Sequence, residues 1–169
     1  RIHQIKGLYF LVNSFAELCK IRNDAILVIV GQDDGYKKAL IERIKDLNLG
    51  ERVIFTGYQV GELKLAVLVD ADVLIQPSSY EAGARPSFEA ILCNTPVIVT
   101  RGTGAGEDIR KIDAGELVTY GNVKDMTNTI DSILDDPDLA QIKTQEAKKW
   151  IIKNLSLGKQ VEEYENLYR

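Results

Sequence analysis

Two glutamates, Glu81 and Glu89, stand eight positions apart in the segment PSSYEAGARPSFEAILCNTPV, residues 77–97. Two carboxylates at one site can act as acid and base on a glycosidic bond when they face it about 5–10 Å apart. They can also accept hydrogen bonds from sugar hydroxyls. Pro86 suits the first helical position, where its fixed backbone angle fits and no donor is lost. A helix is therefore expected over 86–94, with Glu89 just beyond its first turn. The free N–H groups of that turn face the loop carrying Glu81, a place for an anion or a sugar hydroxyl. Ala82, Gly83 and Ala84 allow a ligand close to the backbone. Each carboxylate also has an ordinary explanation: the macrodipole favours a glutamate near a helix start, and Glu81 suits a solvated loop.

Cations that could meet a diphosphate stand at the start of the chain, in RIHQIKG. Arg1 and Lys6 bracket the turn into the first helix, and charge-assisted contacts to phosphate are worth about 1.5–3 kcal/mol each. Without other context both read as solvated, and His3 between them as exposed. A third candidate is the loop RGTGAGED, where Gly102, Gly104, Gly106 and Glu107 could wrap a ligand. Neither it nor GQDDG at 31–35 follows the strand, G-x-G-x-x-G, helix pattern of a dinucleotide site, and the phosphate-loop lysine motif is absent.

These residues must be held by a scaffold, and 169 residues are enough for one domain with its own core. A chain this long buries roughly 70% of its unfolded surface. The net charge of -4 and pI of about 5.1 give no basic footprint for nucleic acid. Cys19 and Cys93 have neither disulfide-framework nor zinc spacing, and read as reduced thiols of a cytoplasmic protein. A single histidine excludes a His-rich metal site. No apolar run approaches the roughly 18 residues of a membrane span.

Helix and strand patterns alternate along the chain. Leu8, Leu11, Val12, Phe15 and Leu18 predict a helix over 7–22. AILVIV at 25–30 predicts a strand buried on both faces. Helices are expected at 36–48 and 61–70, and strands at 52–55, 72–76, 96–100 and 116–118. Further helices are expected at 123–135, 138–153 and 157–168, the last with Val161, Tyr164, Leu167 and Tyr168 on one face. Repeated strand–helix units predict a doubly wound, Rossmann-like α/β fold with a parallel sheet. Ligands of such sheets bind at the carboxyl ends of the strands, which points to the loops after residues 30, 55, 76 and 100. The helix at 7–22 should follow a strand that is not in the sequence, so the natural protein is expected to extend upstream of Arg1.

In this order and spacing, the pieces resemble the C-terminal half of the retaining GT-B glycosyltransferases, the family that includes glycogen synthases and sucrose synthases. Arg1 and Lys6 resemble its R-x-x-x-x-K-G element, Gly31 the glycine after its second strand, and VIFTG at 53–57 its strand beside the base. Glu81 and Glu89 match its E-x7-E motif, EAILCNTPVI resembles the stretch that follows, and Gly104 and Glu107 its glycine-rich turn and glutamate. The segment with Trp150, Tyr164 and Tyr168 is similar to its closing helix. The resemblance covers the whole chain. It implies that Arg1 and Lys6 hold the diphosphate and act in catalysis with Glu81, which contacts the donor sugar. It also implies that Glu89 binds the ribose, that Gly57 and Tyr58 touch the base, and that Gly83, Ala84 and Arg85 touch sugar or phosphate. The donor is then a UDP-, GDP- or ADP-sugar, with no cofactor and no metal. An N-terminal acceptor domain of the same protein would complete the cleft and make any peripheral membrane contact, and the present segment alone is expected to transfer little. Ala82-Gly83-Ala84 replaces the family's usual G-F-G, Arg85 an apolar residue and Asn94 a glycine. A nucleotide-sugar epimerase, a non-catalytic nucleotide-sugar-binding domain and a hydrolase remain as alternatives.

Overall fold

The computed structural model describes residues 1–168. A 3-10 turn, Gln4–Lys6, leads into α1 (Leu8–Leu18), followed by β1 (Leu27–Val30), α2 (Lys37–Asp46), β2 (Val53–Gly57) and α3 (Gly61–Asp70). Then come β3 (Leu74–Gln76), α4 (Arg85–Leu92), β4 (Val97–Thr100), α5 (Gly104–Lys111) and β5 (Glu116–Val118). The chain closes with α6 (Val123–Asp135), α7 (Pro137–Asn154) and α8 (Leu157–Leu167). Helix α4 ends earlier than its apolar periodicity predicts, where the backbone turns left-handed at Asn94, φ +64°. Asparagine tolerates that conformation better than most residues, which fits its standing where a glycine is usual.

All strand pairs are parallel, in two sheets: β1 beside β2, and β4 between β3 and β5. The second sheet has helices on both faces. Ile75, Ile98 and Val118 join one core with α1, α2 and α6; Leu74, Val97, Val99 and Leu117 join another with α4, α5 and α7. This alternation is what the doubly wound reading expects. Across the first core, Thr127 donates to the Ser14 carbonyl at 3.0 Å and ties α6 to α1.

The sheet of β1 and β2 departs from expectation. Leu27, Ile29, Val53 and Phe55 face the first core, but Val28, Val30 and Ile54 remain 43%, 39% and 45% exposed. The strand expected to be buried on both faces is buried on one. The physical reason is the path of α3: after β2 it packs beside α4 instead of lying over β1 and β2. Among the described residues β1 and β3 are not paired to each other. The expected apolar face of α8 is likewise uncovered: Val161, Tyr164, Leu167 and Tyr168 are all exposed.

Candidate functional site

The turn before α1 and the loop after β3 are locked together by backbone. Gly7 has φ +67°, and a Cβ there would lie 1.9 Å from the Pro77 carbonyl oxygen. The Ser79 N–H donates to the Ile5 carbonyl at 2.9 Å, and its hydroxyl donates to the same oxygen at 3.2 Å. This contact brings two distant parts of the sequence to one point. Lys6 Nζ donates to Glu81 Oε2 at 2.6 Å, with the two side chains 26% and 20% exposed. Ser78 Oγ donates to the same carboxylate oxygen at 3.2 Å. Burial pushes the Glu81 pKa up, but the bonded Lys6 ammonium and Ser78 hydroxyl, with the nearby unbonded Gln76 amide, outweigh it and hold the carboxyl below its ordinary value.

Gln76 ends β3 and is buried. Its Oε1 accepts from the buried Ser87 hydroxyl of α4 at 2.7 Å, while Nε2 is buried without a hydrogen-bond partner among the described residues. Leaving a buried donor unpaired costs about 1–3 kcal/mol.

The carboxyl ends of β1 and β2 form the adjoining part of the rim. Ile2 bridges Asp33 in parallel, with its N–H donating to the Gln32 carbonyl at 2.7 Å. Gly31, at φ +152°, packs against Arg1, whose backbone nitrogen would lie 3.1 Å from a Cβ at that position. The Gly31 N–H donates to the Gly57 carbonyl at 2.8 Å, which sets Gly57 and the exposed Tyr58 beside it. Arg1 lies on this rim, but its guanidinium turns to Asp34 at 3.3 Å rather than joining Lys6 and Glu81. Asp33 of the GQDDG loop serves the fold, since its Oδ1 accepts from the Tyr36 and Lys37 N–H groups, each at 3.1 Å, at the start of α2.

The loop 82–85 leads to Glu89. Helix α4 opens at Arg85 with Pro86 in its first turn, one residue earlier than expected, and no side chain of its N-cap Ala84 closes that end. The N–H of Ala84 instead donates to Asp108 Oδ2 at 3.2 Å. Glu89 lies just beyond the first turn, as expected, and meets Lys64 of α3 at 3.0 Å. The glycine-rich segment is the start of a helix rather than an open loop. Thr103 caps a helix there by accepting from the Gly106 N–H at 3.0 Å, and α5 begins at Gly104. Its glycines serve close packing: a Cβ at Gly104 would lie 2.3 Å from the Ala82 carbonyl oxygen, and one at Gly106 2.4 Å from that of Thr100. Glu107 is paired with Arg110 at 2.7 Å on the surface.

Lys64, Ser78, Gln76 and Asp108 were not singled out by the sequence. Ser78 carried a signal, three residues before Glu81; Lys64 and Asp108 reach the site only through the packing of α3 and α5. A recess of about 280 Å³ lined by Ala71, Asn94, Pro96 and Pro137 lies at the amino ends of β3 and β4, away from Lys6 and Glu81. The acidic and cationic rim lies at the other, carboxyl ends of the strands. It carries a held carboxylate, a lysine against it, a helix start without a side-chain cap, and backbone that only glycine can bring so close. Such a rim can bind an anion with a hydroxylated group attached.

Known proteins fit this arrangement. The family model for glycosyl transferases group 1 matches residues 1–150. The 2-deoxystreptamine glucosyltransferase of Streptomyces kanamyceticus is 30% identical over 152 residues, covering 89% of this chain and 39% of that protein. The sucrose-phosphate synthase of Thermosynechococcus elongatus superposes with a TM-score of 0.85 at 27% identity, over 100% of this chain and 43% of that one. HepE of Anabaena, solved in complex with UDP, superposes with a TM-score of 0.87 at 24% identity, over 99% of this chain and 46% of that one. The chain thus spans less than half the length of these relatives. Its parallel α/β arrangement is that of one half of their GT-B fold. With the E-x7-E glutamates at the carboxyl end of β3 and on α4, and a family match over most of its length, the chain belongs to the glycosyl transferases group 1.

Proposed function

We propose that this chain is the donor-binding half of a retaining glycosyltransferase, which moves a sugar from a UDP-, GDP- or ADP-sugar to a glycan, lipid or other acceptor. The observation that carries the reading is the Lys6–Glu81 pair, set by backbone packing at the carboxyl ends of the strands beside the start of α4. Lys6 turns to the diphosphate when the donor binds, and Arg1 leaves Asp34 to join it. As the bond between the sugar and the diphosphate breaks, these cations stabilise the negative charge on the leaving group, with no metal ion required. Glu81 accepts from the donor sugar and Glu89 from the ribose. The N–H groups of Gly83 and Arg85 serve sugar or phosphate beside Ala84, whose own N–H is held by Asp108. Gly31, Gly57 and Tyr58 receive the base. UDP in the neighbouring HepE structure and the glucosyltransferase activity of the Streptomyces relative support a nucleotide-sugar donor.

The acceptor is assigned to a separate N-terminal domain, in keeping with the greater length of the relatives. This reading places one further parallel strand before Arg1, between β1 and β3, which are not paired to each other among the described residues. Hydrolysis is disfavoured by the electrostatics: one carboxyl must be protonated at neutral pH to act as acid, whereas Glu81 is held ionised and Glu89 is paired with Lys64.

The test is calorimetric titration with UDP, GDP and ADP and their glucose, mannose and N-acetylglucosamine conjugates, repeated with Glu89→Ala. One nucleotide should bind well above the others, and Glu89→Ala should weaken it about tenfold, or about 1.4 kcal/mol. Equal affinity for Glu89→Ala and wild type would remove the ribose role.

A further inference from the structure

Gln76 has no part in the roles assigned above, yet among the described residues it is the buried side chain whose bonding is incomplete. It is 7% exposed at the end of β3, and its oxygen is engaged by the fully buried Ser87 hydroxyl. That contact leaves its amide nitrogen buried and unpartnered. The Gln76 side chain is close enough to Glu81 to favour the ionised carboxylate, and Ser78, two residues further on, already bonds that carboxylate. The neighbouring acid also decides which way the amide faces, because the reverse orientation would set a carbonyl oxygen against a carboxylate. The charged group against Glu81 is Lys6; Asp108 of α5 faces the adjoining Gly83 and Ala84.

Glu81 leans on Lys6 at 2.6 Å and on Ser78 at 3.2 Å. The function proposed above draws Lys6 away to the diphosphate, and this inference rests on that step. Glu81 would then keep a hydroxyl and lose its cation. We propose that Gln76 is a positioning residue that takes hold of the Glu81 carboxylate when Lys6 engages the diphosphate, so that Glu81 stays in place for the donor sugar. Ser87 fixes one end of the amide, and a movement of Glu81 towards the nitrogen completes the other. The unpaired donor is then a bond held in reserve.

The hold can be read without any nucleotide. Lys6→Met imitates the departure of the ammonium, and the Glu81 carboxyl carbon can be titrated by NMR, assigned through Glu81→Gln. Gln76→Leu combined with Ser87→Ala removes both polar partners and leaves no new orphan. In the Lys6→Met background this pair should raise the Glu81 pKa by about one unit, the scale of one hydrogen bond to a charged group. With Lys6 present the rise should be clearly smaller. Gln76→Met with Ser87→Ala, uncharged and close to glutamine in length, should raise the Glu81 pKa in the same way if the leucine pair fails to fold. Identical Glu81 titration with and without Gln76 in the Lys6→Met background overturns the proposal. UDP titration of the same proteins judges the diphosphate reading separately: a wild-type chain that binds no nucleotide sinks that reading, while the carboxyl titration still decides whether Gln76 holds Glu81.

Discussion

Glu81 and Glu89 share a residue type, a motif and a lysine partner, but the two pairs are built differently. Glu81 and Lys6 are 20% and 26% exposed, and the backbone around them is fixed by Gly7 against Pro77 and by Ser79 on Ile5. Glu89 and Lys64 are 36% and 37% exposed and sit on two neighbouring helices. The first pair is partly desolvated and pre-positioned, the second is close to a surface ion pair. An E-x7-E spacing therefore does not by itself give two equivalent carboxylates. One is fixed by the backbone around it, the other only by the packing of two helices.

If that contrast is right, variants at the two pairs should fall in a definite order. Gly7→Ala should do most damage, because its Cβ would collide with Pro77 backbone at a left-handed φ. A loss of about 3 kcal/mol or more is expected from urea unfolding, and Lys6 should separate from Glu81 as the loop shifts. Lys6→Met should follow at about 1–3 kcal/mol, since it leaves a partly buried carboxylate without its cation. The same pair predicts an acid response. The folded pKa of Glu81 lies below its unfolded value, so the pair adds stability above the unfolded carboxyl pKa and loses it as pH falls through the folded one. Between about pH 5 and pH 3 the wild-type midpoint should fall further than that of Glu81→Gln. Lys64→Ala should cost least, about 0–1 kcal/mol. An effect as large as that of Lys6→Met would erase the distinction between the two pairs.

Much of this was readable from the chain because strands and helices alternate clearly and E-x7-E is a local pattern. The limits are equally local. LVIV of β1 and VIVT of β4 look alike as sequence, but every residue of β4 is buried while Val28 and Val30 of β1 are exposed. What covers a strand is decided by where the following helix packs, and periodicity does not encode the direction of α3. RGTGAGED reads as a loop because glycine disfavours helix; the cap at Thr103 and the contacts of Gly104 and Gly106 with neighbouring backbone override that preference. Gln76 looks like the polar end of an apolar run, and its significance appears only when Ser87 and Glu81 are placed around it. Lys64 had no sequence link to Glu89 at all, since they meet across two helices.

The central claim is that one donor site runs along the carboxyl ends of the strands, from the base-side glycines to α4. Amide chemical shifts of the labelled chain titrated with UDP test this at every position along the rim. Lys6, Gly31, Gly57, Tyr58 and residues 83–89 should shift together, with one shared dissociation constant, while the recess around Ala71 and Pro96 stays unchanged. Saturable shifts confined to that recess, or to any surface lacking Lys6 and Glu81, would contradict the account.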